Sequence, residues 1–373
     1  MRAIVAITVG LGAGIVFAIS ACSSGVKQDG FPDQGSSSGG GSGSSGGSSG
    51  GGSGSGGGSG SSSGGSSGGN LTGDGGSQMN PEAGVFNTVY AHTDDTLYSV
   101  DPMTKVITLV GMFVGTSDSS TDSTVTDLAV DGNDDVYVNT ESVVYKATLP
   151  AQNGGSVLLT KLATIASSSK FYALAFAPVG ALDAANETLV GGDSNGSLWS
   201  INTSTGAAVN LGNFGADASI SGNTWELSGD MVFYDDANNN PTGLATIRSC
   251  PPGGSGTKCK GDYLASVNMT ALKTAYSSGT AATSLLGGIY GATSPTVPGN
   301  GTGFQDVFGL GAWNSTVFGF SRHTTAASPA LITIDTTSGA GTMVSNSFSF
   351  TNGWSGAGVS TKIVISVPPP MAQ

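Results

Sequence analysis

One strand pattern returns five times along the chain, and that repetition limits the fold more than any other feature. The copies are Leu97-Tyr-Ser-Val-Asp101, Val144-Tyr-Lys-Ala-Thr148, Leu198-Trp-Ser-Ile-Asn202, Leu264-Ala-Ser-Val-Asn268 and Leu331-Ile-Thr-Ile-Asp335. Three of them run into polar turns, Asp101–Lys105, Asn202–Gly206 and Asp335–Gly339, each followed by another strand. A strand, an Asx-type turn and a strand make an antiparallel hairpin. A second element lies upstream of the later copies: Asp127–Val130, Ala173–Phe176, Asp230–Phe233, Val307–Leu310 and, near the end, Gly356–Val359. Small and large residues alternate there, as expected of strands crowded around an axis.

No long helical period interrupts this pattern from about Val85 onward, so the chain reads as all-β. Four strands per repeat predict a β-propeller of about five four-stranded blades, with room for a degenerate sixth. The C-terminal strands are expected to complete the blade that the N-terminal ones begin, which removes exposed sheet edges. The wider spacings fall at insertions, namely the loop between Cys250 and Cys259 and the stretch from Ser277 to Gly303.

The Leu-Tyr-Ser-Val-Asp-Pro pattern at Leu97–Pro102 resembles the broad superfamily of bacterial propellers that includes YVTN-type surface repeats, lactonases and quinoprotein dehydrogenases. The resemblance spans most of residues 85–367 and implies the fold rather than an activity. No tryptophan is followed by Asp, and Gly-Gly pairs do not recur once per repeat, so neither the WD40 nor the kelch signature is present.

Ahead of the repeats lie two segments of other kinds. Arg2 precedes an apolar run from Ala3 to Ile19, and then comes Ile19-Ser20-Ala21-Cys22. This resembles the signal peptide and lipobox of bacterial lipoproteins. The resemblance implies cleavage before Cys22, acylation of that cysteine and permanent attachment through the acyl chains. Ser23 stands where an Asp would favour the inner membrane, so the outer membrane of a two-membrane bacterium is expected. From 35 to 69 every residue is Gly or Ser, a composition that cannot bury apolar surface and is expected to stay disordered. As a coil it spans roughly 30–35 Å. The chain thus divides into a signal peptide (1–21), a lipidated cysteine with its tether (22–79) and a propeller domain (80–373).

Composition narrows the function. Acids outnumber bases 25 to 12, giving a net charge of −13, which disfavours nucleic acid as a partner. With Cys22 assigned to export, Cys250 and Cys259 remain as a pair, expected to form a disulfide outside the cytoplasm. There are two histidines, His92 and His323, both near strand ends and expected to be exposed or edge imidazoles. No nucleophile elbow, His-Glu-x-x-His or phosphate loop is present.

The remaining chemistry is a candidate ring of carboxylates. Asp127 and Asp230 hold the same first position of two inner strands, and Asp306 precedes a third by one residue. Gathered at one mouth of a channel, with Glu226 close by in sequence, they would offer oxygen ligands to Ca²⁺ or shift one another's protonation. The alternative is that each Asp caps its blade by bonding to neighbouring backbone amides. Two functions follow. One is a monomeric, lipid-anchored platform that binds an envelope or extracellular protein or glycan without catalysis. The other is a propeller enzyme, a lactonase-like hydrolase or lyase, with a metal held by Asp127, Asp230 and Asp306.

Overall fold

The computed structural model describes residues 88–116, 122–193, 195–253, 258–290, 301–323, 328–350, 352–368 and 370. The signal peptide, Cys22 and the Gly/Ser segment lie outside the described residues. The chain opens with β1 (Val89–His92), β2 (Thr96–Val100) and β3 (Ile107–Val114). Three complete four-strand units follow. They are β4 (Asp127–Val130) to β7 (Gly155–Thr164) with β5 (Val136–Asn139) and β6 (Val143–Thr148); β8 (Phe171–Ala177) to β11 (Ala208–Gly212) with β9 (Thr188–Asp193) and β10 (Leu198–Ile201); and β12 (Thr224–Asp236) to β15 (Leu286–Ile289) with β13 (Pro241–Cys250) and β14 (Lys260–Val267). The fifth unit is β16 (Gln305–Trp313), β17 (Thr316–His323), β18 (Ala330–Ile334) and β19 (Gly341–Ser345). Two short strands end the chain, β20 (Gly356–Gly358) and β21 (Val364–Ile365).

The strand order β20-β1-β2-β3 makes the first blade from both ends of the chain, and the other four blades each run in sequence order. The domain is therefore a five-bladed β-propeller closed by its C-terminal strand, with no sixth blade among the described residues. All five copies of the first sequence pattern are third strands (β2, β6, β10, β14, β18), and all five of the second are innermost strands (β4, β8, β12, β16, β20). The hydrophobic core sits between blade faces: one cluster joins the third and fourth blades through Phe214, Leu227 and Phe233, another joins the fifth to the first through Phe318, Phe320 and Trp354.

The polar turns close as their sequences require. Asp101, Asn202 and Asp335 each accept two backbone N–H groups of the residues that follow, at 2.6–3.0 Å. The runs Asp131–Asp135 and Asp235–Asn240 are turns of the same chemistry, in which Asp131 and Asp236 accept from the backbone two and four residues on.

Two features depart from the sequence reading. After the fourth copy the chain forms a helix, α1 (Met269–Ser278), instead of a turn. Asn268 caps it by accepting the Ala271 N–H, Gly279 ends it in the left-handed region, and Leu272 and Ala275 pack into the core. The Asn and Gly eleven residues apart were the available signal. The other feature lies at the rim, where the outer strands β3 and β7 pair in parallel, from Gly111 opposite Gly155 to Val114 opposite Leu158. The first two blades therefore form one eight-stranded sheet. Gly111 permits the approach, since a Cβ there would lie 2.1 Å from the Gly155 carbonyl oxygen.

Cys250 and Cys259 form the expected disulfide, stapling the β13–β14 connection at a sequence separation of 9. Replacing both by Ser is expected to cost about 2.5 kcal/mol from loop closure alone, read as a lower denaturation midpoint.

Candidate functional site

The inner strands all begin at the same end of the propeller axis, and two carboxyl groups meet there. Asp127 opens β4 and Asp230 lies within β12, both without solvent exposure. The two carboxyls lie beside each other, close enough to interact directly. Asp127 Oδ2 accepts the Leu174 N–H of the next blade at 2.6 Å, and the backbone N–H of Leu128 lies beside the same carboxyl. Asp230 Oδ2 accepts the Leu310 N–H of its next blade at 2.7 Å, and its Oδ1 accepts from Met231 at 2.6 Å. The backbone N–H of Ala357, on the closing strand, also reaches Asp230. Leu128, Leu174, Met231, Leu310 and Ala357 lie on β4, β8, β12, β16 and β20, so an amide of every blade faces the two side chains, and those of Leu174, Met231 and Leu310 are hydrogen-bonded to them.

Neighbouring hydroxyls repeat the arrangement one step out. Thr126 and Asn139 donate to the Phe171 carbonyl of the following blade at 3.0 and 3.1 Å. Thr246 donates to Val307 of the blade after Asp230 at 3.1 Å. The second and fourth blades thus clasp their successors in the same way, and this is the capping role that the sequence left open as the alternative to a ligand role.

Burial pushes the acidity of both aspartates in one direction. Loss of solvation raises Asp127 well above the usual carboxylate range, and the Asp230 charge beside it adds to the effect. Asp230 is likewise raised by burial, against the amide hydrogen bonds that favour its charge.

His92 is the residue the sequence reading placed wrongly, as an exposed or edge imidazole. It ends β1 with no exposure, because Gly356 and Ser355 lie against it: the Ser355 N–H donates to the His92 carbonyl at 2.8 Å. Its Nδ1 donates to the Thr93 carbonyl at 2.6 Å, which leaves Nε2 with a lone pair, 3.9 Å from Asp127 Oδ1. Burial holds the imidazole neutral, with its pKa lowered to about 4. His323 ends β17, the equivalent strand of the fifth blade.

Asp306 and Glu226 do not join the pair. Asp306 takes a left-handed backbone (φ 52°) and lies near Asp262, whose buried carboxyl is pushed up to about 7, first by loss of solvation. Glu226 faces Arg248 and the disulfide sulfurs. The residues at the axis do not fit Ca²⁺, which takes six to eight oxygens. Asp127 and Asp230 spend theirs on backbone amides and on each other. Gly356 fills the gap beside His92: even a methyl carbon there would lie 1.9 Å from Asp127 Oδ1 and 2.5 Å from His92 Nε2.

Beyond the pair the axis is packed. Ala129, Leu174, Phe176, Met231, Phe233 and Val359 leave about 10 Å³ between them, space for at most one water. At the far end the C-terminal segment crosses the axis, with Ser360 bridging Val130 and β21 pairing in parallel with Asp235 and Asp236.

No family model matches this chain, and no curated protein matches it. Several solved structures are similar in fold. A protein of unknown function from Bacteroides caccae shares 11% identity over 73% of this chain and 98% of its own, with a TM-score of 0.35. Virginiamycin B lyase from Staphylococcus aureus shares 10% over 69% of this chain and 65% of its own (TM-score 0.29), so the chain spans less than two thirds of the lyase. A putative 6-phosphogluconolactonase from Bacteroides uniformis shares 9% over 73% and 71%, with a TM-score of 0.30. Likenesses this remote carry no argument about chemistry, and the propeller stands on its own strand order.

The rest of the polar end is also structural. Arg322 of the fifth blade donates to Asp94 and to Ser355, both at 3.2 Å, tying β17 to the β1–β2 turn and to the segment leading into β20. On the outside, Leu109, Met112, Val114 and Leu158 are 44–57% exposed. Val114 and Leu158 are direct partners across the fused β3–β7 sheet, and with Leu109 and Met112 on β3 they give the rim an apolar stripe; Met103 and Val106 are exposed in the segment just before β3.

Proposed function

We propose that this protein is a lipid-anchored platform of the bacterial cell envelope that binds a partner protein and carries out no catalysis. The apolar stripe on the β3–β7 sheet is the observation that carries this reading. A monomeric protein rarely leaves a contiguous apolar surface of this kind uncovered without an interaction to use it. The axis, where a propeller enzyme would place its chemistry, is packed, and its two carboxyls are committed to backbone amides. The stripe contains aliphatic and thioether side chains and no aromatic ring, which suits a protein surface better than a sugar face. Acylation at Cys22, in the outer membrane, would hold this surface near its partner, and the Gly/Ser tether would let it turn.

The test uses the full-length protein in its own cells, with a photo-activated cross-linking side chain at Leu109. The expected result is an adduct with one envelope protein, reduced roughly tenfold or more by the double change Met112→Asp and Leu158→Asp, as for loss of a binding hot spot. Cys22→Ser is expected to abolish fatty-acid labelling. Adducts only with second copies of the chain, or adducts indifferent to the two substitutions, would overturn the platform reading. A thermal transition lowered by EDTA and restored by Ca²⁺ would favour the enzyme instead.

A further inference from the structure

We propose that Asp127 and Asp230 hold one proton between them, carried on Asp127 Oδ1, and that this proton locks the five blades together at the axis. The geometry leaves it one place. Both oxygens of Asp230 already accept backbone N–H groups, and so does Asp127 Oδ2. Only Asp127 Oδ1 receives no N–H or O–H from the rest of the described protein. Two unscreened carboxylates in contact, without solvent exposure, would repel strongly, whereas an acid donating to a carboxylate attracts. The protonated arrangement therefore makes Asp127 the donor and Asp230 the acceptor, and each keeps its amides from its own part of the ring.

The charged groups around the pair are few. From β1 comes His92, neutral and with its lone pair towards Asp127; behind it stand Asp94 and Arg322, paired with each other. The strands β8, β16 and β20 present backbone N–H groups. Among the described residues nothing cationic lies against the pair to stabilise a second negative charge in its place.

The folded pair keeps a proton that an unfolded Asp releases near pH 4, so stability falls as pH rises until the folded pair itself titrates. Two other buried groups also contribute below neutrality. His92, lowered to about 4, adds stability as pH rises from 4 to 6.5, while Asp262, near 7, removes it up to that pH. Both are complete by about pH 8, and ordinary tyrosines titrate only near 10. Above pH 8 neither of these two groups adds a slope of its own.

The test is equilibrium unfolding of the full chain at pH 6, 8 and 9 for the wild type, Asp127→Asn and Asp230→Asn. The wild-type folding constant is expected to fall as pH rises from 6 to 9, by up to about tenfold per pH unit for as long as the folded pair keeps its proton. In Asp127→Asn the new amide donates as the proton does, so the protein keeps wild-type stability at pH 6 and loses the slope. Asp230→Asn instead sets an amide N–H against the backbone N–H of Met231 or Leu310, and its stability falls at every pH. A wild type that loses no stability between pH 6 and 9, or an equal loss in Asp127→Asn, overturns the shared proton. Asp230→Asn tolerated while Asp127→Asn collapses overturns its assignment to Asp127. Should both variants fail to fold, the wild-type slope still decides.

Discussion

Replacing Trp354 by Ala is expected to remove about 3–5 kcal/mol of stability, the range for deleting a fully buried large aromatic side chain. Trp354 has no solvent exposure and meets four rings edge-on, those of Tyr98, Phe320, Phe348 and Phe350, with centroids 4.7–5.5 Å away. It stands two residues before β20, between the first blade and the fifth. Loss of the ring therefore leaves a cavity where the circle closes, and the domain total is only about 5–15 kcal/mol. Urea unfolding should show a lower midpoint. A slope reduced as well would mean that β20 had come away from β1 in the folded state. A loss under 1 kcal/mol would show that the neighbouring rings collapse into the space and that closure does not depend on this side chain.

Gly356→Ala is expected to cost about 3 kcal/mol or more, the upper part of the range for overpacking. The added carbon would lie 1.9 Å from Asp127 Oδ1 and 2.5 Å from His92 Nε2. Neither neighbour can yield cheaply. Asp127 would give up the Leu174 amide, and His92 is fixed by its bond to Thr93. Moving the backbone instead breaks the pairing of Gly356 with His92 across β20 and β1. Thermal unfolding of the variant measures the cost, and a transition unchanged within 2 °C would show that the axis is looser than these contacts imply.

Much of this architecture was legible because it repeats. The copies at 97, 144, 198, 264 and 331 shared a pattern and fell on one strand position, and the alternating small and large residues marked the inner strands. Asp127 and Asp230 stood out for the same reason, since each opens the same four-residue pattern. What they do there was not legible. Blades two and four are not adjacent in the ring, and periodicity reports which face a residue occupies, never which side chains meet across an axis. His92 shows the limit most clearly. Its neighbour Gly356 is far along the chain, and only closure of the ring turns a strand-end imidazole into a sealed one. Asp306 misled by sequence proximity: one residue of offset, with a left-handed backbone, sends it towards Asp262 rather than the axis. The rim pairing of β3 with β7 lay beyond reach too, because outer strands carry polar and apolar residues alike and signal no partner.

The route by which the chain enters the domain has a mechanical consequence. Thr88 leads directly into β1, which is not an edge strand: β20 lies on one side of it and β2 on the other, both antiparallel. Hydrogen bonds in such ladders run across the strand direction. A pull transmitted through the preceding residues is thus applied lengthwise, against both flanking ladders together, in shear. Tearing the domain open from that side means breaking those bonds at once rather than unzipping them singly, so the N-terminal side of the domain resists a lengthwise pull.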